Sequence, residues 1–268
     1  MKILLTFMLT IVSVLSYSQD TISIYYNSHW QRVYNKAEAN FRRNYIKEGK
    51  LWHAFDYNKS GQLLKEGRYK SRKFEKQIGD FVYYHVNGQL RKKESFDDKG
   101  NLSGSFVEYY SDGSLSGEGS YVNGSLNGIC NFYFKNGQQS AKVTYKNGKI
   151  KEEDYWNNDG RQLVGKEKEG ANKMPSFPGG IANLYEFLRN NINYPEQAKN
   201  QGISGRVIVN FVVGTEGSIS DAYIIKPLNK YLDTEALRLV NIMPKWEPGV
   251  QYNRRVQVSY NLPIRFTL

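Results

Sequence analysis

The apolar positions of this chain follow two rhythms, and the change falls near residue 175. Up to about residue 165, short runs such as LWHAFDY, DFVYYHV, SFVEYY and CNFYF alternate with turns built on Asn-Gly, Asp-Gly or Lys-Gly pairs. Glycine supplies the positive φ a tight hairpin needs, and aromatic runs between such turns predict antiparallel strands. Turn glycines stand at 49, 61, 88, 100, 113, 124, 137, 148 and 160, about one every twelve residues except between Gly61 and Gly88. That longer interval holds the basic insertion SRKFEKQ and has room for one further turn near Gly79. Two strands with their turns make a unit of about 24 residues: NGQL at 87, DGSL at 112 and NGQQ at 136 are one kind of turn, and KGNL at 99, NGSL at 123 and NGKI at 147 the other. Each unit can bury its aromatics only against its neighbours, so the pattern predicts a repeat meander.

After residue 175 the periods change. IANLYEFLRNNI carries Ile181, Leu184, Phe187 and Leu188 at helical spacing. A second, short helix, PEQAKNQ, opens with Pro195 at its first position, where a missing N–H costs nothing, and ends at Gly202. RVIVNFVV then places Val207, Val209, Phe211 and Val213 on one face of a strand; GTEG turns, and SISDAYIIK returns. Asp233 is expected to cap the helix TEALRLVNIM, with Ala236, Leu237 and Val240 inward, before MPKWEPG leads into a last strand, RVQVSYNLPIRF. All seven prolines lie in the last 94 residues, and the polar stretch KEKEGANK just before them reads as a linker. The expected architecture is β-rich with two domains: hairpin repeats over 19–165, a linker over 166–176 and an α+β domain over 177–268.

The first residues change the setting. Lys2, an apolar run from Ile3 to Leu15 and the small-x-small triplet Ser16-Tyr17-Ser18 form the pattern of a signal peptide over 1–18. A helix from Ile3 to Tyr17 would span about 22 Å at ~1.5 Å per residue, short of a ~30 Å hydrocarbon core, so cleavage is expected over anchoring. Export places the chain in the periplasm or cell envelope. Cys130 is the single cysteine, so no internal disulfide is possible, and it reads as a buried inert thiol. The net charge is +11, with 26 Lys/Arg against 19 Asp/Glu over 19–174 and 10 against 7 beyond. A basic exported protein meets anionic envelope surfaces rather than nucleic acid.

Catalytic chemistry finds no footing. His29, His53 and His85 are scattered among aromatics, Asp97-Asp98 and Glu152-Glu153 flank turns, and GEGSYV at 117–122 lacks the third glycine and the following helix of a dinucleotide loop. No GxSxG, HExxH or P-loop occurs. Neither an enzyme nor a metal or organic cofactor is expected.

Residues 30–165, through FVYYHVNGQL, FVEYYSDGSL and FYFKNGQQ, resemble the variant MORN repeats of bacterial surface and exported proteins. Residues 177–268 resemble the TonB C-terminal domain through FPGG, YPEQA, GISGRVIVNFVV, LDTEAL, MPKWEPG and LPIRF. The resemblance gives Tyr194, Pro195, Gly205, Gly217, Pro244, Trp246, Pro248 and Gly249 structural duties. It implies binding of an extended TonB-box peptide of an outer-membrane receptor, or of another envelope protein, by strand addition at a sheet edge. Independently, Pro263 has no N–H to give, so the last strand is expected to lie at an edge or to have that position facing away from its partner, and Val256, Gln257, Val258, Ser259, Tyr260, Asn261 and Leu262 are the candidate peptide-binding edge. The alternatives are a transducer that keeps its first helix as a membrane anchor, and a structural scaffold. The mature chain is expected to begin at Gln19. Intact mass of protein from the envelope fraction checks this, and retention of Met1–Ser18 would favour the transducer.

Overall fold

The computed structural model describes residues 21–268 except His29, so the expected leader and the His29 assignment lie outside the described residues. The chain divides into two compact units, one running to Gly113 with Tyr121–Ser125, the other made of Ser114–Ser120 and Leu126–Leu268. The hairpin region is a large antiparallel sheet, and the division falls within it.

In the first unit the strands are β1 (Ile22–Tyr26), β2 (Arg32–Val33), β3 (Phe41–Glu48), β4 (Leu51–Asn58), β5 (Leu63–Tyr69), β6 (Gln77–Tyr84), β7 (Leu90–Phe96) and β8 (Gly104–Tyr109). Their order is β2-β1-β3-β4-β5-β6-β7-β8, so from β3 onward each strand pairs with its sequence neighbour, as tight glycine turns dictate. Tyr45, Ala54, Tyr69 and Phe81 form the buried core, with Tyr69 and Phe81 edge to face at 5.2 Å. Arg43 is held in this layer by a two-pronged bond to buried Asp56, at 2.6 and 2.8 Å, beneath the rings of Tyr26, Tyr69 and Phe74. Burial disfavours its charge, but the Asp56 bonds more than offset that and hold the guanidinium pKa above its ordinary value.

The further turn expected near Gly79 is not there. Gly79 lies inside β6, and the insertion itself makes the reversal: Lys70 N–H donates to the Lys76 carbonyl at 2.9 Å and Phe74 takes a positive φ of 55°. The Phe74 ring packs at 5.0 Å from Tyr45 and 5.2 Å from Tyr69, so an apolar anchor on the loop determines where the chain turns.

β9 (Leu115–Val122) and β10 (Ser125–Leu126) come next in the chain, followed in the second unit by β11 (Gly128–Tyr133), β12 (Gln139–Lys146) and β13 (Lys149–Tyr155) in the order β9-β11-β12-β13. Cys130 is fully buried on β11, and burial pushes its thiol pKa up. The polar stretch expected as a linker is ordered. A 3-10 helix spans Gly165–Gly170, then Lys173 and Ser176 exchange backbone hydrogen bonds of 2.8–3.1 Å with Val250 and Glu247. Its composition is polar, but its amides find partners that composition does not reveal.

The rest of the unit contains α1 (Gly180–Asn191), α2 (Glu196–Asn200), β14 (Gly205–Val213), β15 (Ile219–Lys226), α3 (Lys230–Asn241), β16 (Gly249–Gln251), β17 (Arg254–Val256) and β18 (Val258–Phe266). One sheet runs β15-β14-β18, and β16 pairs with β17 as a separate hairpin. Val207, Val209, Phe211 and Val213 are all buried, facing Leu184, Leu188, Leu232, Ala236, Leu239 and Val240 of the helices. Several expected details move. Ile181 is exposed, and Leu239 rather than half-buried Leu237 joins the inner face of α3. Asn229, not Asp233, caps α3: its side chain accepts from Tyr231 N–H, while Asp233 accepts from Leu228 N–H at 3.0 Å. The helix thus starts earlier than its apolar run. Pro195 is the cap residue of α2 rather than its first helical residue.

The last expected strand, 255–266, is split at Gln257 because β17 turns away with β16. Tyr252 and Asn253 form the tip of that hairpin with φ of 54° and 59°, values that favour Asn or Gly and strain a tyrosine. Surrounding bonds hold the strained pair. Tyr252 N–H donates to Asn172 Oδ1 (2.9 Å) and Asn253 N–H to the Ala171 carbonyl (2.8 Å). Asn253 Nδ2 donates to the Trp156 carbonyl at 2.7 Å, and the two hydroxyls of Tyr252 and Tyr145 share a 3.0 Å bond. The Tyr252 ring lies parallel to Phe132, 3.6 Å between centroids.

Room for that ring comes from the repeat sequence. On β6, Tyr83 stands opposite Lys65 and Lys92 on its two neighbours, whereas on β11 the register puts Phe132 opposite Gly117 and Ala141. A Cβ on Gly117 would come within 2.9 Å of the Phe132 ring. Two small residues therefore bare the face that Tyr252 covers, and Arg254 supplies a cation 5.1 Å above Phe132 while donating to the Ser116 carbonyl. Tyr252→Ala in the full chain is expected to lower stability by about 1–3 kcal/mol. In a fragment of residues 172–268, which lacks Phe132, the same change is expected to cost less than about 0.5 kcal/mol. Denaturant titration of the four proteins checks both values, and a 172–268 fragment without a cooperative transition would show that the α+β region needs the last repeats to fold.

Candidate peptide-binding edge

β18 lies at one edge of its three-stranded sheet, paired with β14 along its whole length from Val258 opposite Val213 to Phe266 opposite Gly205. Alternation divides its side chains. Leu262, Ile264 and Phe266 are buried in the core, while Ser259, Asn261, Pro263 and Arg265 are exposed on the other face. Tyr260 is half-buried and packs at 4.9 Å from Trp246 and 5.7 Å from Phe211, so it helps fix the strand. On the exposed face Asn210 of β14 donates to Ser259 Oγ at 2.8 Å and to Asn261 Oδ1 at 2.6 Å, a polar bracket that ties the side chains of β18 to its neighbour.

The seven candidate residues are thus not one strand. Val258, Ser259, Tyr260, Asn261 and Leu262 belong to β18; Val256 sits opposite Gly249 in the β16–β17 hairpin, and Gln257 is the exposed junction between the two.

The residues singled out by motif surround this strand as supports. Tyr194 donates to the Ile203 carbonyl and meets Phe266 edge-on at 6.0 Å. A Cβ on Gly205 would lie 2.8 Å from Leu228, and one on Gly249 would lie 2.5 Å from Val258. Trp246 is buried among Phe177, Phe211 and Tyr260, and among the described residues its indole nitrogen has no hydrogen-bond partner. Its backbone N–H donates to the Gly217 carbonyl at 2.9 Å. Pro244 is exposed and Pro248 half-buried, on either side of Trp246. Sequence reasoning missed Asn210 because a single polar residue in a valine-rich strand has no partner that spacing can show. It also missed Tyr252 and Arg254, whose partners lie more than a hundred residues away. Elsewhere His53 bonds Glu48 at 3.0 Å and His85 the Tyr109 carbonyl at 2.8 Å.

The chain thus joins a hairpin-repeat sheet to a C-terminal α+β domain. Residues 190–268 match the family described as Gram-negative bacterial TonB protein C-terminal, and residues 102–123 match the MORN repeat variant. The C-terminal region is thus TonB-like over residues 190–268. Among solved structures, the NMR solution structure of the Helicobacter pylori TonB C-terminal domain is similar at 25% identity, covering 32% of this chain and 78% of that one with a TM-score of 0.26. The crystal structure of accessory secretory proteins 1, 2 and 3 in Streptococcus pneumoniae is similar at 17% identity over 38% of this chain and 19% of that one, TM-score 0.25. A GtfA/B complex bound to UDP and GlcNAc follows at 13%, 45%, 23% and 0.20 in the same order. No curated protein sequence matches the chain.

Gly217 offers the sharpest test of how the edge is supported. Its φ is +78°, and a Cβ there would stand 1.9 Å from the Trp246 carbonyl oxygen, which is backbone and cannot swing aside. Gly217→Ala is expected to destabilise the protein by about 2–4 kcal/mol, visible as a lower midpoint in chemical denaturation.

Proposed function

We propose that this protein is a non-enzymatic envelope adaptor whose TonB C-terminal domain binds an extended peptide of the TonB-box type by adding it to β18. The observation that carries the reading is the position of Pro263 in an edge strand. Proline donates no hydrogen bond, so Pro263 opposite Ile208 leaves the β14 ladder whole when its nitrogen faces the free edge. Backbone direction alternates along a strand, and that parity turns the N–H and C=O groups of Ser259 and Asn261 outward while those of Tyr260 and Leu262 bond β14. A guest strand then finds four main-chain bonds between Ser259 and Asn261 before the row of donors breaks at Pro263.

Four such bonds contribute roughly 2–6 kcal/mol net, at ~0.5–1.5 kcal/mol each, before the guest's ordering cost is subtracted. Micromolar affinity needs about 8 kcal/mol, so the partner is expected to be held weakly and transiently unless its side chains add contacts. The export pattern read at 1–18 and the TonB-like domain support an exchange in the periplasm or at the outer membrane, where a receptor's peptide segment is the fitting partner and the repeats are a platform.

Ser259→Pro removes one outward N–H at a position where the backbone ladder with β14 loses nothing and only the Asn210 side-chain bond to Ser259 Oγ is given up, and is expected to abolish binding of a TonB-box peptide while the fold stays intact. Ser259→Ala keeps the backbone and is expected to change affinity less than about twofold. Calorimetry with circular dichroism as the fold control checks both. A folded Ser259→Pro protein that binds as wild type would place the peptide elsewhere.

A further inference from the structure

We propose that the first hairpins hold a binding site for a phosphate monoester, independent of the peptide edge. A cavity of about 270 Å³ opens where the 3-10 turn Lys36–Glu38 and the start of β3 meet the end of β4 and its turn. Tyr25 gives it an apolar wall, and Lys36, Arg42 and Lys59 line it with three cations. No carboxylate lines it.

These cations lack the partners that neighbouring ones have. Arg43, the next residue on β3, is saturated by Asp56. Among the described residues the buried Arg42 Nε has no hydrogen-bond acceptor, and its guanidinium rests on the Tyr57 ring at 4.8 Å. Among the described residues, neither Lys36, Arg42 nor Lys59 has an ion pair. Buried donors in folded proteins are normally satisfied, and a charged donor left without an acceptor beside a cavity calls for an acceptor inside it.

The chemistry of the lining selects the guest. Three positive groups around one small cavity match a dianion better than a singly charged carboxylate, and a guanidinium fork pairs with phosphate oxygens through two bonds. The apolar wall of Tyr25 accepts the carbon-bearing side of a monoester, leaving the phosphoryl oxygens to the cations. Such a group can arrive on a soluble metabolite or as a lipid headgroup.

The full chain, titrated by calorimetry with inorganic phosphate and by co-sedimentation with phosphatidylcholine vesicles with and without phosphatidic acid, tests the site. Arg42→Gln and Lys59→Gln are each expected to weaken binding by about tenfold or more, and Lys151→Gln, an exposed cation on β13, to leave it unchanged. Saturable phosphate binding with that variant pattern identifies a soluble source. Vesicle binding that needs phosphatidic acid and shows the same pattern, without phosphate binding, identifies a lipid-borne one. Absence of both, or an equal loss in all three variants, overturns the proposal. Should Arg42→Gln perturb the fold by circular dichroism, Lys59→Gln, on an exposed turn, decides the matter alone.

Discussion

The stacking of Tyr252 on Phe132 is the contact on which the second unit turns, because it makes the α+β region and the last repeats one body. Gly117 and Ala141 flank Phe132 with small side chains where lysines flank Tyr83 on β6, and a Cβ on Gly117 would crowd the Phe132 ring. The contact also demands that a tyrosine sit at positive φ, a conformation that side chains normally avoid. Bonds from Asn172, Ala171, Trp156 and Tyr145 hold the hairpin tip in place, so the strain is borne by a network rather than by one group.

The hairpin array is stabilised differently in the first unit. There the cations belong to the strands themselves: Arg43 beneath Tyr26, Tyr69 and Phe74, and Lys65 near Tyr69, Phe81 and Tyr83. Long aliphatic stems cover aromatic faces that a single-layer sheet would otherwise leave to water. In the second unit Arg254 takes the same role from outside the repeat sequence, so one chemical solution is met by two different parts of the chain.

Much of this was legible from residue order because the forces involved are local. The turn glycines at 49, 61, 88, 100, 113, 124, 137, 148 and 160 all take positive φ, and the alternation through Val207, Val209, Phe211 and Val213 marks a buried strand face. Local signals also compete, however. Asn229 outranked Asp233 as a cap since α3 extends a turn beyond its apolar run, and Phe74 fixed the reversal that Gly79 was expected to make. The split of the last strand at Gln257 and the docking of Tyr252 depend on contacts between residues far apart in sequence, and a single sequence carries no record of such pairs.

The β16–β17 hairpin has a mechanical meaning as well. It runs directly into β18 through Gln257, so tension applied along β18 toward its N-terminal end does not stop at the sheet. On one side the nine paired positions with β14 take the load in shear, spread along the strand rather than opened one rung at a time. On the other, the load passes through Tyr252 and Arg254 into β9, β11 and β12. The repeats next to the domain are in this sense its footing, and a pull on the edge strand is borne by both.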